Sequence, residues 1–246
     1  MDITPDKFVK LVVDSYDKGK GVFKNKVNAE DLIPKNTTDF QKSLFLFYTT
    51  QLDYATKSQK LYQGAKLLFQ TDKNFFDPFF IQQVNENTLK TTIQKHFKPR
   101  YINEAVRRFK LNSNMLIDNY EGNPLKLFKN AKTAQEAIKS IRKFRGFGPK
   151  IGNFYFRTMV NTFNFKYPDI EDVLPPVDVH DVRIAFLMGY VKSQEMTQAN
   201  IKTVKNLWNQ ACIKAKRNWL TFDKALWLLG SEGKPKTKVD VINLLV

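Results

Sequence analysis

Gly146-Phe147-Gly148-Pro149-Lys150 sets two glycines around one aromatic residue, then a proline suited to the first turn of a helix, then a lysine just inside that helix. Glycines so placed allow positive φ and close approach of backbone to a ligand. The N–H groups that open the following helix can then face a phosphate. Asp178 follows Lys150 by 28 residues, within Pro176-Val177-Asp178-Val179-His180, where a loop re-enters a helix. An anion clamp, an amine and a carboxylate together suggest chemistry on a nucleic acid. A lysine at a helix N-terminus, near other cations and partly desolvated, has its pKa lowered and can act as a free-amine nucleophile. The same residue types also serve blander purposes. Gly-x-Gly occurs in ordinary helix–helix turns, a lysine there can be a plain phosphate contact, and Asp178 can be a structural N-cap.

Charge supports a polyanionic partner. Forty Lys and Arg against 24 Asp and Glu give a net charge of +16, which favours nucleic acid through counterion release. Lys139, Arg142, Lys143, Arg145 and Lys150 fall in one stretch without an acid, and Arg100, Arg107, Arg108 and Lys110 form a second cluster. Lys143 and Arg145, with the backbone of Gly146 and Gly148, are the candidate phosphate contacts. A single cysteine, Cys212, excludes an intramolecular disulfide and any Cys-based zinc or iron–sulfur site. It fits a reducing, intracellular setting, in cytoplasm or nucleoid, or in the nucleus of a eukaryote. The longest apolar run, Leu44 to Tyr48, falls far short of the roughly 18–20 residues of a membrane span, and the N-terminus lacks the pattern of a signal peptide. No membrane partner is expected. His96 has no ligand partners at usable spacing, so no metal site is expected either.

The elements that must position these residues read as helices almost everywhere. Phe8, Leu11, Val12 and Tyr16 mark a first helix that stops near Gly19 and Gly21. Thr38 with Gln41 has capping-box spacing, and Asp53 is a candidate N-cap for the helix through Leu61, Ala65 and Leu68. Phe75 to Phe80 reads as an aromatic turn or short helix, and Pro99 leads into another helix. Thr133 and Glu136 form a second capping box before a helix expected to end at Gly146. Pro149 opens the next, on which Phe154 lies one turn beyond Lys150, as a pocket wall or as core packing. Phe147 is expected to plug between the two helices, and Gly152 to let them cross closely. Further helices are expected over about Thr197–Lys214 and Phe222–Leu229, with Lys238–Val246 ambiguous. Strand patterns are scarce, so the expected class is all-α.

Phe144-Arg145-Gly146-Phe147-Gly148-Pro149-Lys150-Ile151-Gly152 resembles the helix-hairpin-helix of the DNA glycosylase superfamily named for its hairpin, Gly/Pro-rich loop and catalytic Asp. Pro176-Val177-Asp178-Val179-His180 is similar to that family's Asp-bearing segment, above all in the 8-oxoguanine glycosylases. Gln51 to Tyr62, Tyr101 to Ala105 and Leu226 to Gly230 carry weaker likenesses, so the resemblance spans about residues 40–230. It implies that Lys150, at the position separating glycosylase/lyases from enzymes that only remove the base, is the catalytic nucleophile. It implies that Asp178 assists the lysine and stabilises charge at C1′. His180 would contact the phosphate 5′ to the lesion, though a locally satisfied helix-start residue is the alternative. Gln51 would fill the space left by an extruded base, though a surface Gln at a helix end reads equally well.

The fold implied is a two-lobed helical one, with residues 38–165 as the lobe carrying the hairpin and residues 1–37 plus 166–246 as the lobe carrying Asp178, facing Lys150 across a cleft. The partner implied is double-stranded DNA containing a damaged base, bound by a monomer. No organic cofactor or catalytic metal is implied, although hairpin carbonyls suit a structural monovalent cation. The Lys150–Asp178 separation is longer than in common bacterial and eukaryotic members and nearer the archaeal 8-oxoguanine branch. That leaves the Tyr167–Pro176 loop as decoration or substrate contact. The four-cysteine cluster of endonuclease III-like enzymes is missing. The expectation is a glycosylase and abasic-site lyase for an oxidised purine, most simply 8-oxoguanine. The rivals are a lyase for an oxidised pyrimidine and a non-catalytic helix-hairpin-helix module.

Overall fold

Apolar residues recur at helical spacing along most of the chain, and a computed structural model describing residues 3–25, 29–54 and 56–246 has the corresponding architecture. Among the described residues there are 13 α-helices and no strand. In chain order they are α1 (Pro5–Asp17), α2 (Asp39–Thr50), α3 (Ser58–Thr71), α4 (Pro78–Gln83), α5 (Glu86–His96), α6 (Ile102–Tyr120) and α7 (Pro124–Asn130). There follow α8 (Ala134–Ile141), α9 (Pro149–Phe163), α10 (Val179–Leu187), α11 (Gln198–Ala215), α12 (Trp219–Ser231) and α13 (Lys238–Asn243). The ambiguous C-terminal stretch is thus a helix. Thr237 and Asp240 supply a reciprocal cap that periodicity alone did not reveal. No described helix is long and apolar enough to cross a membrane.

The chain divides into two compact units, Met1–Lys26 with Glu171–Val246, and Val27–Ile170. In the unit of residues 27–170, α2 is the central helix. Every residue from Ser43 to Thr50 is buried, as a helix apolar on all sides must be. Its Phe45 and Tyr48 enter an aromatic cluster with Phe69, Phe76 and Phe109. Tyr48 hydroxyl, buried with them, finds the Ser113 hydroxyl at 2.6 Å, which satisfies a polar group that would otherwise be costly there. The Thr38–Gln41 box caps α2 as expected.

In the other unit α1 packs on α11 and α12, with Phe8 against Trp208 and Tyr190. The chain ends are tied together there, since Ser15 Oγ donates to Leu245 O at 2.7 Å.

Two expected boundaries move, and one expected cap closes differently. Asp53 does not cap α3, which starts at Ser58 behind Lys57; Asp53 instead accepts a hydrogen bond from the Ser58 hydroxyl at 2.7 Å. The helix before the hairpin ends at Ile141, not Gly146, so that residues 142–148 form a turn. Thr133 accepts from Glu136 N–H as a cap should, but the Glu136 carboxylate reaches Lys132 N–H rather than closing the box. Asp169 bonds the N–H groups of Ala134 and Gln135 and completes that helix start.

Candidate nucleic-acid interface

The α8–turn–α9 segment is built around Phe147, which is 1% exposed. Its ring stacks on Phe47 with centroids 5.4 Å apart and meets Tyr155 at 5.0 Å, so the turn is anchored in the aromatic core. Gly152 permits the close crossing expected of it, because a Cβ there would lie 3.0 Å from Phe147 O and 3.5 Å from Ile141 Cγ2. The Arg142 guanidinium bridges the turn to Asn153 Oδ1 at 3.2 Å.

The two hairpin glycines are needed for different reasons. Gly146 has φ +90, which disfavours any side chain, and an added Cβ would lie 2.9–3.0 Å from the Arg108 guanidinium. Gly148 is extended, with φ −67 and ψ −174, and a Cβ there would meet nothing within 4 Å. The fold therefore requires glycine at 146 and not at 148. The missing side chain at Gly148 leaves the N-terminus of α9 open to an approaching ligand.

Pro149 occupies the first position of α9 and Gly148 O accepts from Gly152 N–H at 2.7 Å. The N–H groups of a first helical turn have no carbonyl within their own helix and carry the positive end of its dipole. Lys150 lies in that turn and is exposed, so the partial desolvation expected of it is not met in the chain alone. Lys143 is also exposed, and Phe154 is half-buried with the Arg157 guanidinium 4.9 Å from its ring centre.

Arg145 and Gln51 are held in ways the sequence did not suggest. Arg145 Nε and Nη2 donate to the two carboxylate oxygens of Glu104 at 2.8 and 3.0 Å. Glu104 carries a carboxyl held below the usual range, first by the Arg145 hydrogen bond and then by Arg108. Gln51 is fully buried at the C-terminal cap of α2. Its Oε1 accepts from Asn112 at 2.7 Å and its carbonyl from Arg108 at 2.7 Å. The surface position that the sequence suggested for it is therefore corrected: in the chain alone Gln51 lies inside. Residue 55, within the Gln51–Tyr62 likeness, lies outside the described residues.

Asp178 is the N-cap of α10 and is 7% exposed. Its Oδ1 accepts from His180 N–H at 2.8 Å, and Asp181 Oδ2 accepts from Asp178 N–H at 2.6 Å. The cap fixes the carboxylate's position with no help from a long side chain. Asp181, buried beside it, is pushed well above the ordinary carboxylate pKa by burial and then by the charges of Asp178 and Asp223. His180 packs edge-on to Trp227 and lies with Nδ1 3.2 Å from the Arg183 guanidinium, which also donates to Gly230 O. Gly230 makes room for that imidazole, since a Cβ would meet His180 Cβ at 2.6 Å.

Lys150, Gly146, Gly148, Lys143, Arg145, Gln51 and Phe154 thus belong to the unit of residues 27–170, and Asp178 and His180 to the other. Glu104, Asn112 and Asp181 were missed as site residues, and Arg108 was read only as part of a basic cluster, not as a partner of Glu104 and Gln51. Glu104, Arg108 and Asn112 recur every four residues along one face of α6, and Asp178 and Asp181 have capping-box spacing, so both signals were present in the sequence. Among the described residues no group of three or more His, Cys, Asp or Glu is arranged to hold a metal ion.

No protein-family model and no curated protein matches the sequence. Among solved structures, the chain is similar to a trapped endonuclease III–DNA covalent intermediate in an estranged-adenine complex. The TM-score is 0.60 at 15% sequence identity, over 95% of this chain and 89% of that one. The chain has the endonuclease III fold. That fold is the helical, hairpin-bearing architecture that the Gly146–Lys150 segment led one to expect, and the likeness extends over nearly the whole chain. The endonuclease III fold here lacks the four cysteines noted above, since Cys212 stands alone and buried.

Proposed function

We propose that this protein is a DNA glycosylase with abasic-site lyase activity, acting on double-stranded DNA that contains an oxidised purine, with 8-oxoguanine as the substrate base. The observation that carries the reading is the exposed Lys150 in the first turn of α9, two residues after a glycine whose missing side chain the fold itself does not require. The neighbouring structure, a covalent intermediate between an endonuclease III and DNA, agrees with a fold that suits this chemistry.

In this reading the damaged nucleotide is extruded from the duplex, and the phosphates flanking it lie on the hairpin N–H groups, Lys143 and His180. Lys150 Nζ, as the neutral amine, attacks C1′, the glycosidic C–N bond breaks, and the base leaves with the bonding electrons and takes up a proton. Asp178, ionised, stabilises positive charge at C1′ while the bond breaks and then takes the proton lost by the amine, and water supplies the proton taken up by the base. Ring opening gives a Schiff base between Lys150 and C1′. Loss of a C2′ proton then expels the 3′ phosphate by β-elimination, and water releases the lysine. DNA contact supplies the desolvation that the exposed Lys150 lacks in the chain alone, lowering the cost of its neutral form. Phe154 forms one wall of the base pocket. The protein works as a monomer, inside the cell, with no catalytic metal or organic cofactor.

A panel of otherwise identical duplexes, each with one lesion, tests the substrate. Release of free 8-oxoguanine with a 3′ unsaturated aldehyde nick is expected. Release of oxidised pyrimidines in preference to 8-oxoguanine would replace the purine reading, and no release from any duplex would reduce the protein to a DNA-binding module.

A further inference from the structure

One face of α6 holds the hairpin at a single residue, by main chain and side chain together. Arg145 lies in the turn between α8 and α9, where neither helix supplies partners for its backbone, and such groups must be satisfied elsewhere. Asn112, 1% exposed, does this with one side chain. Its Oδ1 accepts from Arg145 N–H at 2.9 Å while its Nδ2 donates to Arg145 O at 2.9 Å. One turn earlier, the Arg108 side chain fills the space that glycine leaves at position 146. One turn earlier again, Glu104 takes the Arg145 guanidinium in a two-point ion pair and also accepts from Arg108 Nε at 3.1 Å. The same Asn112 Nδ2 and Arg108 reach Gln51, so the end of α2 is locked to the same stripe.

We propose that Asn112 and Glu104 are positioning residues that clamp Arg145, and that Arg145 orients the hairpin rather than binding phosphate. This rests on the lyase reading of the site, whose lysine lies five residues further on. A residue fixed at both its N–H and its C=O cannot rotate its peptide, so the φ +90 turn at Gly146 and the first turn of α9 start from a set direction. A guanidinium engaged at two points with a carboxylate has a geometry that lysine, a point charge, does not reproduce. The clamp and a phosphate contact therefore respond differently to Arg145→Lys.

The test measures binding of a duplex carrying a tetrahydrofuran abasic analogue across a range of salt concentrations. Alongside it runs single-turnover borohydride trapping on a natural abasic duplex at saturating concentration. Circular dichroism verifies the helical fold of each variant. Asn112→Ala and Arg145→Lys are expected to raise the dissociation constant several-fold and to slow trapping at saturation about tenfold or more, the scale of a misplaced reacting group. Arg145→Ala is expected to weaken binding without changing the slope of log K against log salt. Should Asn112→Ala fail to fold, Glu104→Gln and Arg145→Lys, which alter only part-exposed groups, carry the same expectation. Arg145→Lys that binds and traps like the wild type overturns the clamp, as does a slope reduced by about one in Arg145→Ala, the mark of a lost phosphate contact. A wild type that binds but never traps contradicts the lyase reading instead, and the binding arm still decides the clamp.

Discussion

The unit that carries the hairpin has 23 Lys and Arg against 12 Asp and Glu, whereas the unit that carries Asp178 has 17 against 12. The two key side chains differ in the same sense. Lys150 is exposed at the start of a helix whose turn is anchored in aromatic core, while Asp178 is 7% exposed and sits beside the buried Asp181. The first arrangement suits a group that must reach an incoming polyanion. The second suits a group whose place must be fixed before anything arrives, at the cost of setting carboxylates near one another in a buried environment. Reach and fixity are built by different means: surplus charge and an open glycine in one case, a reciprocal helix cap in the other.

The largest effect that could break this contrast is chemical. Asp178→Asn keeps an equally good N-cap, so folding should be unaltered, yet base excision should fall by about a thousandfold with DNA binding retained. Unchanged excision kinetics in a lesion duplex would make Asp178 a cap and nothing more. Next come the hairpin glycines. Gly146→Ala should destabilise the chain by about 1–3 kcal/mol, because it forces a side chain into positive φ against Arg108. Gly148→Ala should lower DNA affinity while leaving denaturant stability within about 0.5 kcal/mol. Equal losses of stability at the two positions would remove the case for an opening reserved for ligand.

Asp181 sharpens the buried half. Its pKa is raised on folding, so the unfolded chain gives up this proton first, and stability is lost as pH rises above 3.8, the carboxyl's ordinary value. Asp181→Asn, which can still accept from Asp178 N–H, should flatten that decline and raise the melting temperature at pH 8 relative to pH 5. A thermal melt series with parallel wild-type and variant curves would contradict it. The smallest effect belongs to the exposed half. Lys143→Ala should weaken duplex binding uniformly across sequences and reduce the salt slope by about one, whereas an unchanged slope would take Lys143 out of the phosphate contacts.

Much of the fold was legible because it was written in local terms. The Thr38–Gln41 box and the Pro149 start each follow from residue type and spacing, and each is found; Phe147 is buried as expected, but its ring stacks on Phe47 of α2 and meets Tyr155 of α9. The candidate site was legible where a short segment carries it: Gly146 and Gly148 lie in one turn, Pro149 and Lys150 open α9, and Asp178 caps one helix. What escaped was held across distance in sequence. Gln51 reads as a surface residue from its neighbours, but Asn112, 61 residues later, draws it inside. Arg145 reads as a free cation within a basic run until Glu104, 41 residues earlier, is seen to pair with it. The Tyr167–Pro176 loop reads as one piece, yet Tyr167 donates to Phe128 O and Asp169 caps α8 in one unit, while from Glu171 the chain belongs to the other.

The central claim is that Lys150 is an amine nucleophile, and its most direct test is borohydride trapping on an 8-oxoguanine duplex, followed by mass analysis of the adducted peptide. The account predicts a covalent adduct mapped to Lys150 in the wild type and none for Lys150→Gln. An adduct that forms equally well in Lys150→Gln, or that maps to another lysine, would contradict it.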